Sequence, residues 1–160
     1  MGLSLPFLNL YFVNHLGASV EYYSNLAALT IIPIMAGAAL GPRLSKQFGT
    51  VRTIETLRIS IAVPIAVMAM TRNTLIAAMS DWAVRAMFAA ESALSFAHAM
   101  GTDDADSRAS TAAVLHIAQV LGNSVAASIG GALLAEENYA SLLWSGAGLM
   151  WLCASLMAVL

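Results

Sequence analysis

Charge is scarce in this chain. Of its 160 residues only 10% are Asp, Glu, Lys or Arg, where a soluble domain usually carries about 25%. A soluble fold of this length has no room to hide the apolar surface that remains. Basic residues are scarcer still. Seven Lys and Arg stand against nine acids, a net charge of −2, and this excludes the positive field that nucleic-acid binding requires. The single cysteine, Cys153, excludes an internal disulfide, and neither a CxxC nor a Cys/His metal pattern occurs. Cys153 lies in an apolar stretch and reads as a packing or lipid-facing residue. No HExxH zinc helix and no GxSG-type serine motif is present, and Asp81 has no second aspartate at comparable depth to pair with. An enzyme is therefore not expected. Residues 1–13 lack the basic start and the small-residue cleavage pattern of a secretory signal, so none is expected there.

What fills the chain instead is apolar. The hydrophobic fraction is 59% and the mean hydropathy +0.77. The expectation is an all-α membrane protein, a single bundle of about six transmembrane helices over residues 1–160. A spanning helix needs about 20 mostly apolar residues. Six stretches qualify or come close: 3–16, 25–40, 53–70, 74–100, 110–135 and 140–160. Barrel strands alternate apolar and polar residues. Here the run 26–40 is continuously apolar and rich in Ala, a poor strand residue, so helix is expected throughout. The first stretch is short, about 14 residues against the usual span, which implies further residues before Met1.

Breaks are expected at Gly17-Ala-Ser19, Gly41-Pro42-Arg43, Thr71-Arg72-Asn73, the polar run 101–108 and Glu136-Glu137-Asn138. Ser107 or Ser110 is suited to cap the fifth helix, with Asp103, Asp104 and Asp106 near its positive end. Arg43, Lys46, Arg52 and Arg108 fall on one side of the membrane and Arg72 alone on the other. The positive-inside rule then places both termini in the cytoplasm of a cell membrane, plasma or bacterial inner. Pro6, Pro33 and Pro64 sit within spans, where neighbouring groups must take up the freed carbonyls. Gly37 with Gly41, and Gly122 with Ala126 and Gly130, form small-residue faces that let helix backbones approach closely.

Order and spacing along the whole chain resemble the carboxyl-terminal six-helix half of a major facilitator superfamily transporter. The run Gly2-Leu-Ser-Leu-Pro-Phe-Leu-Asn-Leu-Tyr-Phe12 with Leu16-Gly-Ala-Ser19 resembles the first helix and outer loop of such a half. Gly41, Pro42, Arg43, Gly49 and Arg52 resemble its cytoplasmic loop motif, with Lys46 and Gln47 where the family has an aspartate and an arginine. Arg85 resembles an arginine of the fourth helix, and Ser107-Arg108-Ala109 leading to Asn123 and Gly130-Gly131 resembles the next loop and helix. The resemblance implies a secondary transporter in which two halves rock about a central site, with the first and fourth helices lining the cavity. It implies as partners the lipid bilayer, a small-molecule substrate and a second six-helix half, upstream in the same polypeptide or supplied by a homodimer. No cofactor is implied.

Ionisable groups inside a membrane are costly and mark function by default. Asp81 and Arg85 lie four apart on the fourth stretch and can pair on one face. Counted from Thr74, Arg85 is about 16 Å deep, near the middle of the hydrocarbon. Glu91 lies about 80 to 120° around the same helix and is a candidate coupling carboxylate. Asn9 and Tyr11 are polar candidates on the first stretch. Asp81, Arg85, Glu91, Asn9 and Tyr11 are thus the expected substrate- or proton-binding residues. Glu55 and Arg58 read as an interfacial pair, His98 and His116 as packed or interfacial, and Trp82, Trp144 and Trp151 as packing residues. The alternative to a transporter is a non-transporting fragment or scaffold subunit. Drug, sugar, peptide and organic ion all stay open as substrates.

Overall fold

The computed structural model describes residues 5–102, 107–134 and 139–159, and among these the secondary structure is helical with no strand. Met1 to Ser4, the acidic residues Asp103, Asp104 and Asp106, the break expected at Glu136-Glu137-Asn138 and Leu160 lie outside the described residues, as does the side chain of Cys153. The first stretch is a 3-10 turn, Leu5–Phe7, a short α1, Leu8–Leu10, and a π turn, Tyr11–His15. In the wide turn the N–H of Leu16 reaches the carbonyl of Tyr11 at 3.1 Å and that of Ala18 reaches Phe12 at 2.9 Å. There follow α2, Val20–Leu29; α3, Ile31–Phe48; α4, Thr50–Met70; α5, Thr74–Thr102; α6, Arg108–Leu134; and α7, Tyr139–Val159. Among the described residues three helical stretches are long and apolar enough to cross a membrane: Val20–Phe48 taken through its break, Thr50–Met70 and Arg108–Leu134.

Two expected boundaries are corrected. The second span does not run 25–40; it begins at Val20, where Ser19 accepts the Tyr22 N–H at 3.1 Å as an N-cap, and it is interrupted at Thr30. The cause is Pro33, which offers no N–H to the carbonyl of Leu29 and crowds the turn before it. Thr30 closes the gap with a tight bond to Ala27 from its N–H (3.2 Å) and another from its hydroxyl (2.6 Å).

The second correction concerns the basic loop. Gly41, Pro42 and Arg43 do not end a helix; they continue α3 to Phe48, and Arg52 already belongs to α4. The connection is Gly49 alone, at φ +86°, a conformation that costs glycine little. Its N–H donates to the Ser45 carbonyl at 2.9 Å, and its own carbonyl accepts from the N–H and hydroxyl of Thr53 at 3.1 and 2.7 Å. One residue thus closes one helix and opens the next. The turn at Thr71-Arg72-Asn73 stands where expected, with Asn73 Oδ1 accepting the N–H groups of Leu75 and Ile76 at 2.9 and 3.3 Å.

α5 is the centre of the bundle. It packs along α3 on one side and α4 on another, α7 covers α4, and α6 rests more lightly on α5 and α7. Tyr11, Phe12, Ile61, Leu142 and Leu143 are fully buried. By contrast α6 leaves Val114, Ile117, Leu121, Val125 and Ile129 exposed. The alternating course of the helices gathers Lys46, Thr50, His98 and Gly101 at one end, and Ser19, Tyr22 and Arg72 at the other.

The α3–α5 contact explains the first small-residue face. A methyl group on Gly37 would collide with the Ala86 backbone, 2.6 Å from its carbonyl carbon and 2.8 Å from its Cα. On Gly41 it would press on Ala90 at 3.2 to 3.3 Å. The second face is only partly used: Gly130 is buried, whereas a methyl group on Gly122 would meet nothing within 4 Å. Gly37→Ala is therefore expected to lower stability by about 1–3 kcal/mol through overpacking. Gly122→Ala should stay within about 0.5 kcal/mol of the parent. Denaturant titration of both variants in detergent micelles checks the contrast.

Candidate functional site

Helix α5 carries Asp81, Arg85 and Glu91 within about three turns, and the structure sorts them into two ion pairs. Asp81 and Arg85, one turn apart, meet on the helix surface. Arg85 Nε donates to Asp81 Oδ1 and Oδ2 at 3.0 and 2.9 Å. The carboxylate is 1% exposed and the guanidinium side chain 22%, so the acid faces the bundle and the base reaches outward. Beside them the indole N–H of Trp82 is buried and has no hydrogen-bond partner among the described residues, on the wall of an apolar groove between α2 and α5.

Glu91 does not pair along its own helix. Its Oε1 receives Arg58 of α4, at 2.8 Å from Nε and 2.7 Å from Nη2, and the Ser95 hydroxyl at 2.9 Å. The expectation that Arg58 pairs with Glu55 is thereby corrected: Arg58 crosses to α5. The reason is geometric. Glu55 and Arg58 share a helix three residues apart, but the Arg58 stem points toward α5, where the buried carboxylate of Glu91 needs a charge-assisted donor more than a half-buried Glu55 does.

The Arg58–Glu91 pair floors an open groove of about 340 Å³ between α4, α5 and α6. Phe88, Ser92, Ser95 and Phe96 of α5 form one wall, and Gln119 and Asn123 of α6 the other. Chemically this is an electroneutral charged floor flanked by hydroxyl and amide groups that both donate and accept, with two aromatic faces. Among the described residues no group of three His, Cys, Asp or Glu is placed to hold a metal ion.

The five expected site residues are not brought together. Glu91 lines the groove, and Asp81 and Arg85 lie further along α5. Asn9 is exposed. Tyr11 is buried, and its hydroxyl donates to the Met68 carbonyl at 2.6 Å, tying the first stretch to the end of α4, where carbonyls lack helical partners. Of the expected loop motif, Gly41 packs on Ala90 and Gly49 makes the turn, while Pro42, Arg43 and Arg52 are exposed. The groove adds Arg58, read from the sequence as interfacial, and Ser95 and Gln119, which the sequence argument did not single out. Their trace was available as polar side chains inside apolar runs, Gln119 and Asn123 standing one turn apart on α6.

Compared with known proteins, the chain matches no family model, no curated protein and no solved structure.

The interhelical pair carries a testable asymmetry. Glu91→Ala removes the carboxylate that draws Arg58 onto α5 and is expected to cost about 1.5–3 kcal/mol. Replacing both residues by Met should cost clearly less than the sum of the single variants. Unfolding in detergent micelles across this double-mutant cycle measures the coupling.

Proposed function

We propose that the chain is a six-helix half of a secondary active transporter of major-facilitator type, moving a small solute by alternating access. The observation that carries the reading is two ion pairs whose carboxylates, Asp81 and Glu91, are both buried on α5. α5 is the central helix of an apolar bundle, three of whose stretches are long enough to cross a bilayer. Charges at such depth are expensive, and a purely structural bundle gains little by keeping them.

In this reading the groove over Arg58 and Glu91 is one wall of the solute path, closed on its far side by a second six-helix unit. Asp81 and Arg85 supply a charge pair that a solute or proton can exchange. The Arg58–Glu91 pair ties α4 to α5, a tie whose making and breaking suits a two-state transporter. The ends of the helices favour the orientation with Arg43, Lys46 and Arg52 in the cytoplasm, opposite Arg72, in a cell membrane.

One observation favours a second reading, a non-transporting scaffold that packs against other membrane helices. Each buried carboxylate already has an arginine partner within 3.0 Å, so both pairs are stable as static contacts.

Transport separates the two. The chain, reconstituted with its complementary half in vesicles loaded with a pH-sensitive dye, is offered sugars, short peptides, organic cations and organic anions in turn. Asp81→Asn and Arg85→Ala are each expected to reduce solute-driven proton movement at least about tenfold, a loss of roughly 1.4 kcal/mol or more in coupling. Unchanged transport and an unchanged pH dependence in both variants would remove these residues from the site.

A further inference from the structure

The floor of the groove between α4, α5 and α6 is neutral in sum but uneven in detail. Every side-chain bond of Glu91 falls on one of its two oxygens: Arg58 and the Ser95 hydroxyl all reach Oε1. Oε2 accepts nothing among the described residues. It is not a sealed atom either, since among them the Trp82 indole nitrogen alone is buried without a partner. The Glu91 side chain is only 9% exposed, and the cavity it lines is this groove. A buried side chain therefore turns one unused carboxylate oxygen toward the open space. Such an oxygen has lone pairs and no proton to give. Its complement is a hydrogen-bond donor, and a charged donor is the stronger one. The rest of the lining agrees. Phe88 and Phe96 stand half-buried on α5, and ring faces attract cations. Gln119 and Asn123 bring amide carbonyls from α6 for further N–H groups. An anionic head would have to compete with Glu91 for Arg58. A polyol would turn hydroxyls against Phe88, Phe96 and Leu115, which offer them no partner.

We propose that the groove binds a small organic ammonium, its N–H groups on Glu91 Oε2 and its apolar body along Phe88 and Phe96 toward α6. The volume of about 340 Å³ is at the small end of ligand sites. Gly122 sets the length of body that fits. It lines the groove, yet a methyl group on it would meet nothing within 4 Å. A larger side chain at this position would occupy the solute's space without pressing on a neighbouring helix. The inference rests on the reading of this groove as a solute path and names the solute, but it asks only for binding.

The test is equilibrium dialysis of the intact chain in phosphatidylcholine nanodiscs, with empty discs subtracted. Radiolabelled 2-phenylethylammonium is compared with its neutral and anionic analogues, 2-phenylethanol and 3-phenylpropionate. The ammonium is expected to bind at least about tenfold more tightly than either, the difference between a charge-assisted and a neutral hydrogen bond. Glu91→Gln keeps the shape of the side chain and should remove that advantage. Gly122→Leu should abolish binding. Gly148→Leu, at an equally open position on α7 outside the groove, should leave it unchanged. The three probes and Gly122→Leu decide the question even where Glu91→Gln fails to fold. Binding of either analogue as tight as that of the ammonium would overturn the charged donor. Binding that survives Gly122→Leu, or falls as far in Gly148→Leu, would overturn the groove as its site. Ammonium binding by a chain that moves no solute with its complementary half would uphold this site and remove the transporter reading. Transport of another solute without ammonium binding would overturn the inference and leave the transporter standing.

Discussion

The backbone approach of α3 to α5 at Gly37 and Ala86 is the contact on which the arrangement depends. There is no space for a single methyl group between the two helices at this point, and Gly41 against Ala90 repeats the approach one turn later. In a medium where lipid tails are as apolar as leucine, close van der Waals contact replaces the hydrophobic effect as the force that pairs helices. With α3 drawn in on one side and α4 on the other, α5 is enclosed, and both of its carboxylates, Asp81 and Glu91, are buried.

That enclosure gives the ionisable residues of α5 their character. Asp81 and Arg85 solve the desolvation problem inside one helix. Glu91 solves it by recruiting Arg58 from α4 and a hydroxyl from Ser95 one turn on. The two solutions differ in consequence. An intrahelical pair stays intact when helices move, whereas an interhelical pair is a tether that must break or rotate with them. The groove beside that tether has one polar wall on α5 and another on α6, the helix held most lightly.

At the far end of the same three helices the one-residue connection at Gly49 has a comparable effect. Because α3 runs on through Pro42 to Phe48, the basic residues are held on rigid helix ends instead of a loop. Of the two basic residues on the end of α3, Lys46 lines the cavity that also holds His98 and Arg43 does not.

Much of this was legible in the residues alone. Long apolar runs leave helix as the only way to satisfy the backbone in hydrocarbon, so the helical class and the turn at Thr71-Arg72-Asn73 followed directly, as did the Asp81–Arg85 pair, which depends on nothing but a spacing of four. The helix ends at Thr30 and Gly49 did not. A proline donates its disruption to the turn before it, and Pro42 is carried through because Gly41 is clamped on α5, a fact of packing and not of local preference. The partner of Arg58 was equally hidden: Glu55 is near in sequence, but Glu91 is near in space, and the choice between them rests on which side of α4 faces α5. Periodicity and composition govern what happens within one helix. The groove, the tether and the basic cavity each need side chains from three helices, and their coincidence is set by how closely the glycines let those helices meet.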